Sequence, residues 1–147
     1  MLIRRRVLAP LVLLGMASCA PSRNGQAEDT ATTMTITDRE WELVSVGEHD
    51  SPHGTQGRPV TIRFESADSR AGGFAGCNQF SAQYVLSGDS LSFEPAISTK
   101  MFCPDVMDVE TSFLGALERV TGYEATDSTL TLLAASGPIA RFRARQP

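Results

Sequence analysis

Hydrophobic and polar residues alternate with a period of two over most of the chain, and one segment switches to a period near 3.6. In Glu40–Val46, Trp41 and Leu43 point one way and Glu40 and Glu42 the other, which predicts an opening strand. Val60, Ile62 and Phe64 alternate with Thr61, Arg63 and Glu65, a second strand with its polar set facing water. Phe80, Ala82 and Tyr84 alternate with Ser81, Gln83 and Val85. Ser87-Gly88-Asp89 then turns the chain into Ser90–Glu94, a hairpin by turn chemistry and periodicity. Ala96–Met101 reads as a short extended segment. Residues 123–126, 129–133 and 139–143 predict a closing meander, with turns at Asp127-Ser128 and Ala135–Pro138.

The switch comes after Cys103-Pro104-Asp105. Val106, Val109, Phe113, Leu117 and Val120 recur at three and four, with Met107 and Leu114 widening the stripe. The pattern predicts a helix of about 16 residues, capped near Asp105 and ended by Gly122. Asp105, Asp108 and Glu110 fall at its N-terminal end, where the helix dipole favours acids. Seven to eight short strands joined by short turns imply antiparallel pairing. The expected fold is α+β: one domain, a strongly curved, barrel-like antiparallel sheet, and one covering helix. A sheet so curved also predicts a concave apolar groove lined by its aromatics.

Residues 1–37 do not share these patterns. Three arginines precede an apolar run from Val7 to Gly15, then Met16-Ala17-Ser18-Cys19. This is the layout of an export signal, with an apolar run shorter than the ~20 residues of a membrane-spanning helix. A cysteine directly after two small residues resembles the bacterial lipoprotein box, although Met16 stands where leucine is usual. The expectation is cleavage after residue 18 and lipid on Cys19; an ordinary secretory signal with unmodified Cys19 is the alternative. Ala20 in place of aspartate resembles the pattern for sorting to the outer membrane, facing the periplasm. Residues 19–37 are rich in Pro, Ser, Asn, Gly and Thr and predict a flexible tether, leaving 38–147 as the domain.

Cleavage changes the charge. The whole chain has 13 basic and 17 acidic residues, net −4. Three of the basic residues lie in 1–18, so the exported chain holds ten against seventeen, net −7. That excludes nucleic acid as a partner, which requires a basic footprint. It also leaves Cys77 and Cys103 as the two cysteines beyond Cys19. In an oxidising compartment the two pair as a disulfide; two buried thiols are the alternative.

The densest stretch is Gly72–Tyr84, with three glycines, Cys77, Asn78 and three aromatics. Gly72, Gly73 and Gly76 mark a bend or bulge, and Asn78 is a second residue suited to the left-handed region. The stretch offers no general base and no anion cradle, so it reads as a structural corner without chemistry. His49 and His53 sit four apart in a Pro/Gly loop; nothing holds that loop helical, so the spacing makes no shared metal-binding face. Thr99-Lys100 reads as a strand end with a solvated lysine. No cofactor is implied.

Trp41-Glu42-Leu43, Gly76-Cys77-Asn78-Gln79-Phe80 with Tyr84, and Ser98-Thr99-Lys100-Met101-Phe102-Cys103, followed by a helix and a closing strand pair, resemble the META domain family, which includes HslJ-type heat-shock lipoproteins. Ala82 replaces a common glycine, and Phe102 replaces the small residue that usually precedes the cysteine. Gly76, Asn78, Tyr84 and Thr99 are the motif positions carried over. The resemblance implies a curved-sheet α+β lipoprotein of the cell envelope linked to stress resistance, with no enzymatic activity. The resulting expectation is a non-enzymatic envelope module that binds an envelope protein or apolar ligand. A periplasmic enzyme or inhibitor with an unidentified site is the alternative.

Overall fold

A computed structural model describes residues 35–146. The predicted signal, Cys19 and nearly all of the predicted tether therefore lie outside the described residues. Ten strands are present: β1 (Glu40–Val46), β2 (His49–Asp50), β3 (Thr61–Glu65), β4 (Arg70–Phe74), β5 (Gln79–Ser87), β6 (Ser90–Phe93), β7 (Ile97–Ser98), β8 (Gly122–Ala125), β9 (Thr129–Ala134) and β10 (Gly137–Ala144). The helix α1 spans Met107–Leu117. Strands β1, β3, β4, β5, β6, β8, β9 and β10 pair in that order, every pair antiparallel, and β10 returns to β1. The sheet is thus a closed eight-stranded barrel with two extra strands: β2 on β1 and β7 on β5. Both extras are two-residue strands, too short to show a period in the sequence.

Closure joins the two ends of the folded chain. Trp41, Glu42 and Leu43 pair with Ala144, Arg143 and Phe142, and a bulge then shifts the register before Ser45. The opposite seam is thinner, since β6 and β8 share the single pair Ser90–Gly122. The Tyr123 hydroxyl reinforces it by donating to the Gly88 carbonyl at 3.1 Å. Gly88 adopts φ +59°, as the predicted two-residue hairpin turn requires.

An eight-stranded barrel is just wide enough for its own side chains to fill. Trp41, Ile62, Phe64, Leu91, Leu130, Leu132 and Phe142 do so, all essentially without exposure. Helix α1 completes the filling with Phe113, Ala116 and Leu117. Phe113 meets Phe80 edge-on at 5.4 Å and Phe142 at 6.2 Å. The predicted groove lined by the sheet's aromatics is therefore not found among the described residues: those aromatics are the filling. This packing counts against an apolar ligand inside the barrel.

Four local expectations are corrected. The helix has 11 residues, because Pro104, Asp105 and Val106 form a turn before it and the chain leaves the helix after Leu117; Val106, not Asp105, is the N-cap position, without a side-chain cap. Gly122 starts β8 instead of ending the helix. The packed body begins before residue 38, since Ile36 is buried and its carbonyl accepts the Trp41 indole N–H at 2.9 Å. Thr61, expected to face water, is buried on the outer face of β3.

Candidate functional site

The barrel has two poles. At one, the described chain enters: the Asp38 N–H donates to the Phe64 carbonyl beside the β3–β4 turn. The Asp38 carboxylate accepts from the Ser66 hydroxyl at 2.6 Å and the Ser66 N–H at 3.1 Å. Tyr84 belongs to this pole, its hydroxyl donating to the Glu65 carbonyl at 3.1 Å. At the other pole, where β4 ends and β5 begins, lie Gly76, Cys77, Asn78, Thr99 and Cys103. The structure thus brings together Gly76, Asn78, Thr99 and the two cysteines, and leaves Tyr84 apart from them.

The second pole is built around Asn78, whose side chain is satisfied on every side. Its Oδ1 accepts from the Thr99 hydroxyl at 2.8 Å and the Met101 N–H at 2.7 Å. Its Nδ2 donates to the Met101 carbonyl at 3.0 Å and to Glu110 Oε1 at 2.7 Å. Thr99 Oγ1 accepts in turn from the Gln79 N–H. Asn78 does not adopt the left-handed conformation expected of it; it serves through its amide. Gly76 does, at φ +129°, and Gly72 and Gly73 lie within the paired strand β4. Cys77 and Cys103 are joined as a disulfide with Cα atoms 5.8 Å apart.

Glu110, expected to complement the helix dipole, has a different role. It is 4% exposed, and its Oε2 accepts from the backbone N–H groups of Cys77 at 2.9 Å and Asn78 at 2.7 Å. With the Nδ2 bond, one carboxylate gathers three donors from the Gly76–Asn78 corner. The signal was in the stripe: Glu110 lies four residues after Val106 and three before Phe113, on the buried face. Asp105 stays exposed, and Asp108 accepts only from the neighbouring Val109 N–H.

The pole presents an apolar loop. Ile97, Met101 and Phe102 are 71%, 59% and 78% exposed. Lys100 stands exposed among them. Thr99 and Met101 are tied to Asn78, and Cys103 to Cys77, so the loop is fastened while its apolar side chains face out. A recess of about 340 Å³ beside it is lined by Gln79, Phe80, Ser81, Ile97, Ser98 and Thr99. The histidines take no part: His49 Nε2 contacts the Ser112 hydroxyl at 3.2 Å, and His53 is exposed. Among the described residues no group of His, Cys, Asp and Glu is placed to hold a metal.

The family model for the META domain matches residues 34–146, the whole described body. The chain belongs to the META domain family. This META chain is similar to a protein from Burkholderia xenovorans solved by NMR, at 27% identity and a TM-score of 0.64, covering 80% of this chain and 88% of that one. A second NMR structure shares the fold at 22% identity and a TM-score of 0.57, covering 73% and 90%. No curated protein sequence matches it.

Two titrating groups at the entry pole make a testable pair. Hydrogen bonds from the Ser66 hydroxyl and N–H hold the Asp38 carboxyl below the ordinary 3.8. Burial, followed by the nearby Asp38, Asp68 and Glu65, raises Tyr84 above the ordinary 10.0. A lowered acid contributes stability that is complete above its unfolded value and is lost as pH falls through the folded one. A raised tyrosine contributes below its unfolded value and loses that contribution as pH rises through the folded one. Unfolding midpoints should therefore decline below pH 3.8 and again above pH 10.0, with Y84F flattening only the alkaline limb and D38N flattening the acid limb and, by removing a charge beside Tyr84, part of the alkaline one. Unchanged limbs in both variants would refute the assignment.

Proposed function

We propose that this META protein is a non-enzymatic binding module of the bacterial envelope. Residues 1–18 export it, lipid on Cys19 anchors it in the outer membrane facing the periplasm, and it serves envelope maintenance under stress by docking a protein partner through the Ile97–Phe102 loop. The observation that carries the reading is the fastened loop with three exposed apolar side chains. An apolar surface held outward by a disulfide and an amide network marks an interaction site. The occupant in this reading is a protein, and the anchoring bilayer is the competing occupant. Among the described residues no pair of acid and base converges on a recess there, which favours binding over catalysis.

A photo-crosslinking residue at position 102 tests this in cells carrying the full chain. It should capture one envelope protein that the same residue at Val85, 64% exposed on the barrel wall, does not. The double variant M101S/F102S should keep the wild-type unfolding midpoint and lose the partner. Crosslinks to lipid alone, or equal capture from both positions, would overturn docking. Mass spectrometry of the mature N-terminus checks the anchor: a first residue other than lipid-bearing Cys19 refutes it.

A further inference from the structure

The outer wall between the two poles holds a recess of about 320 Å³ lined by Glu40, Arg58, Pro59, Thr61, Gly73, Phe74, Gln79 and Arg145. Its components come from the starts of β1, β3 and β5 and the ends of β4 and β10, so the closed barrel assembles it. The Arg58 guanidinium lies over the Phe74 ring, 4.0 Å from its centroid. The described ion pairs occupy Arg63, Arg70, Arg143 and Arg145 but not Arg58. Arg145 is held by Glu40 at 3.1 Å, an exposed pair that a competing anion can open. At Gly73 the wall is bare backbone, since a Cβ there would drive into the Thr61 carbonyl oxygen.

We infer that this recess is a binding site for a carboxylate carried on a peptide, seated on the free fork of Arg58 with the Thr61 hydroxyl and Gln79 amide beside it. Two arginines and one glutamate leave the recess at a formal charge of +1, in a chain that is otherwise acidic. A monoanion matches that charge, whereas a phosphate dianion brings a surplus negative charge next to Glu40. The planar fork of arginine also fits a carboxylate with two parallel hydrogen bonds. A recess of this size admits a glutamate or aspartate side chain, or a chain terminus, but not a folded partner. The site goes beyond the docking reading and holds without it. Gln79 nevertheless lines both this recess and the apolar one beside Ile97, so a single peptide spans the two with a carboxylate next to an apolar residue.

The test is an NMR titration of the folded protein at constant ionic strength, following the Arg58 side-chain Nε–Hε and the amides of Thr61, Gly73 and Gln79. The probes are acetate, N-acetylglutamate amide for a side-chain source, and an acetylated dipeptide with a free carboxyl end for a terminal source, with inorganic phosphate and chloride as comparisons. Carboxylates should shift these signals saturably, and the tighter of the last two probes names the source. R58Q, which keeps much of the stem over Phe74, should weaken binding about tenfold, the scale of a charge-assisted pair. E40Q should tighten it severalfold by freeing Arg145 and removing the one acidic side chain of the recess. Phosphate binding as well as the carboxylates, an unchanged affinity in both variants, or no shift at these residues would overturn the proposal.

Discussion

Replacing Glu110 by alanine should cost about 4 kcal/mol of stability, because three buried donors are orphaned together. Three donors lose their acceptor at once: the N–H groups of Cys77 and Asn78 and the Asn78 amide. Each orphaned buried donor costs roughly 1–3 kcal/mol. A domain of this size has about 5–15 kcal/mol in total, so E110A should lie near the edge of folding. E110Q separates hydrogen bonding from size. Its oxygen can still accept from both backbone groups, but its NH₂ then faces the Asn78 NH₂. Asn78 cannot turn over to relieve this, because its oxygen already serves Thr99 and Met101. A cost of about 2 kcal/mol is expected for E110Q, within the range for one unmade buried bond. Denaturant unfolding of the three proteins decides the matter, and a loss below about 1 kcal/mol for E110A, the worth of one ordinary hydrogen bond, would sink the role given to Glu110.

Loss of the Cys77–Cys103 bond is the other large effect. The cysteines are 26 residues apart, and the chain-entropy relation for that loop gives about 3.5 kcal/mol. The C77A/C103A variant should unfold at correspondingly lower denaturant, and wild type should move toward it when reductant is added. Thiol titration of the unfolded, unreduced protein should find neither residue reactive. A midpoint indifferent to reductant, or two titrating thiols, would favour the alternative of two buried thiols. The two large effects should not add. Cys77 contributes both a sulfur to the bond and an N–H to Glu110, so changes at the two sites should couple by about 0.5–3 kcal/mol.

Much of the barrel was legible along the chain. Trp41 and Leu43, Ile62 and Phe64, and Phe80, Ala82 and Tyr84 face inward as their alternation requires. The stripe of α1 packs as spaced, with Val109, Phe113 and Leu117 buried. Other features were misread for identifiable reasons. The acidity of Glu110 and its place near a helix start point to the dipole, whereas its position in the stripe puts it on the buried face. Ile36 was submerged in a polar segment, and a single apolar residue has no period. Curvature predicts an aromatic groove, but eight strands enclose only the space that their own side chains fill. Of the motif positions, Gly76, Asn78 and Thr99 converge and Tyr84 does not, because five residues of extended β5 separate it from that pole.

The amino-acid order alone determined the strand alternation, the Gly88-Asp89 hairpin, the helical stripe and membership in the META family, because side-chain period and turn chemistry act between residues close in the chain. The tertiary structure decided the pairing of β1 with β10, the filled interior, the gathering of three donors on Glu110 and the charge of the Arg58 recess. Each of these depends on groups brought together from distant segments, and burial and net local charge are properties of such meetings.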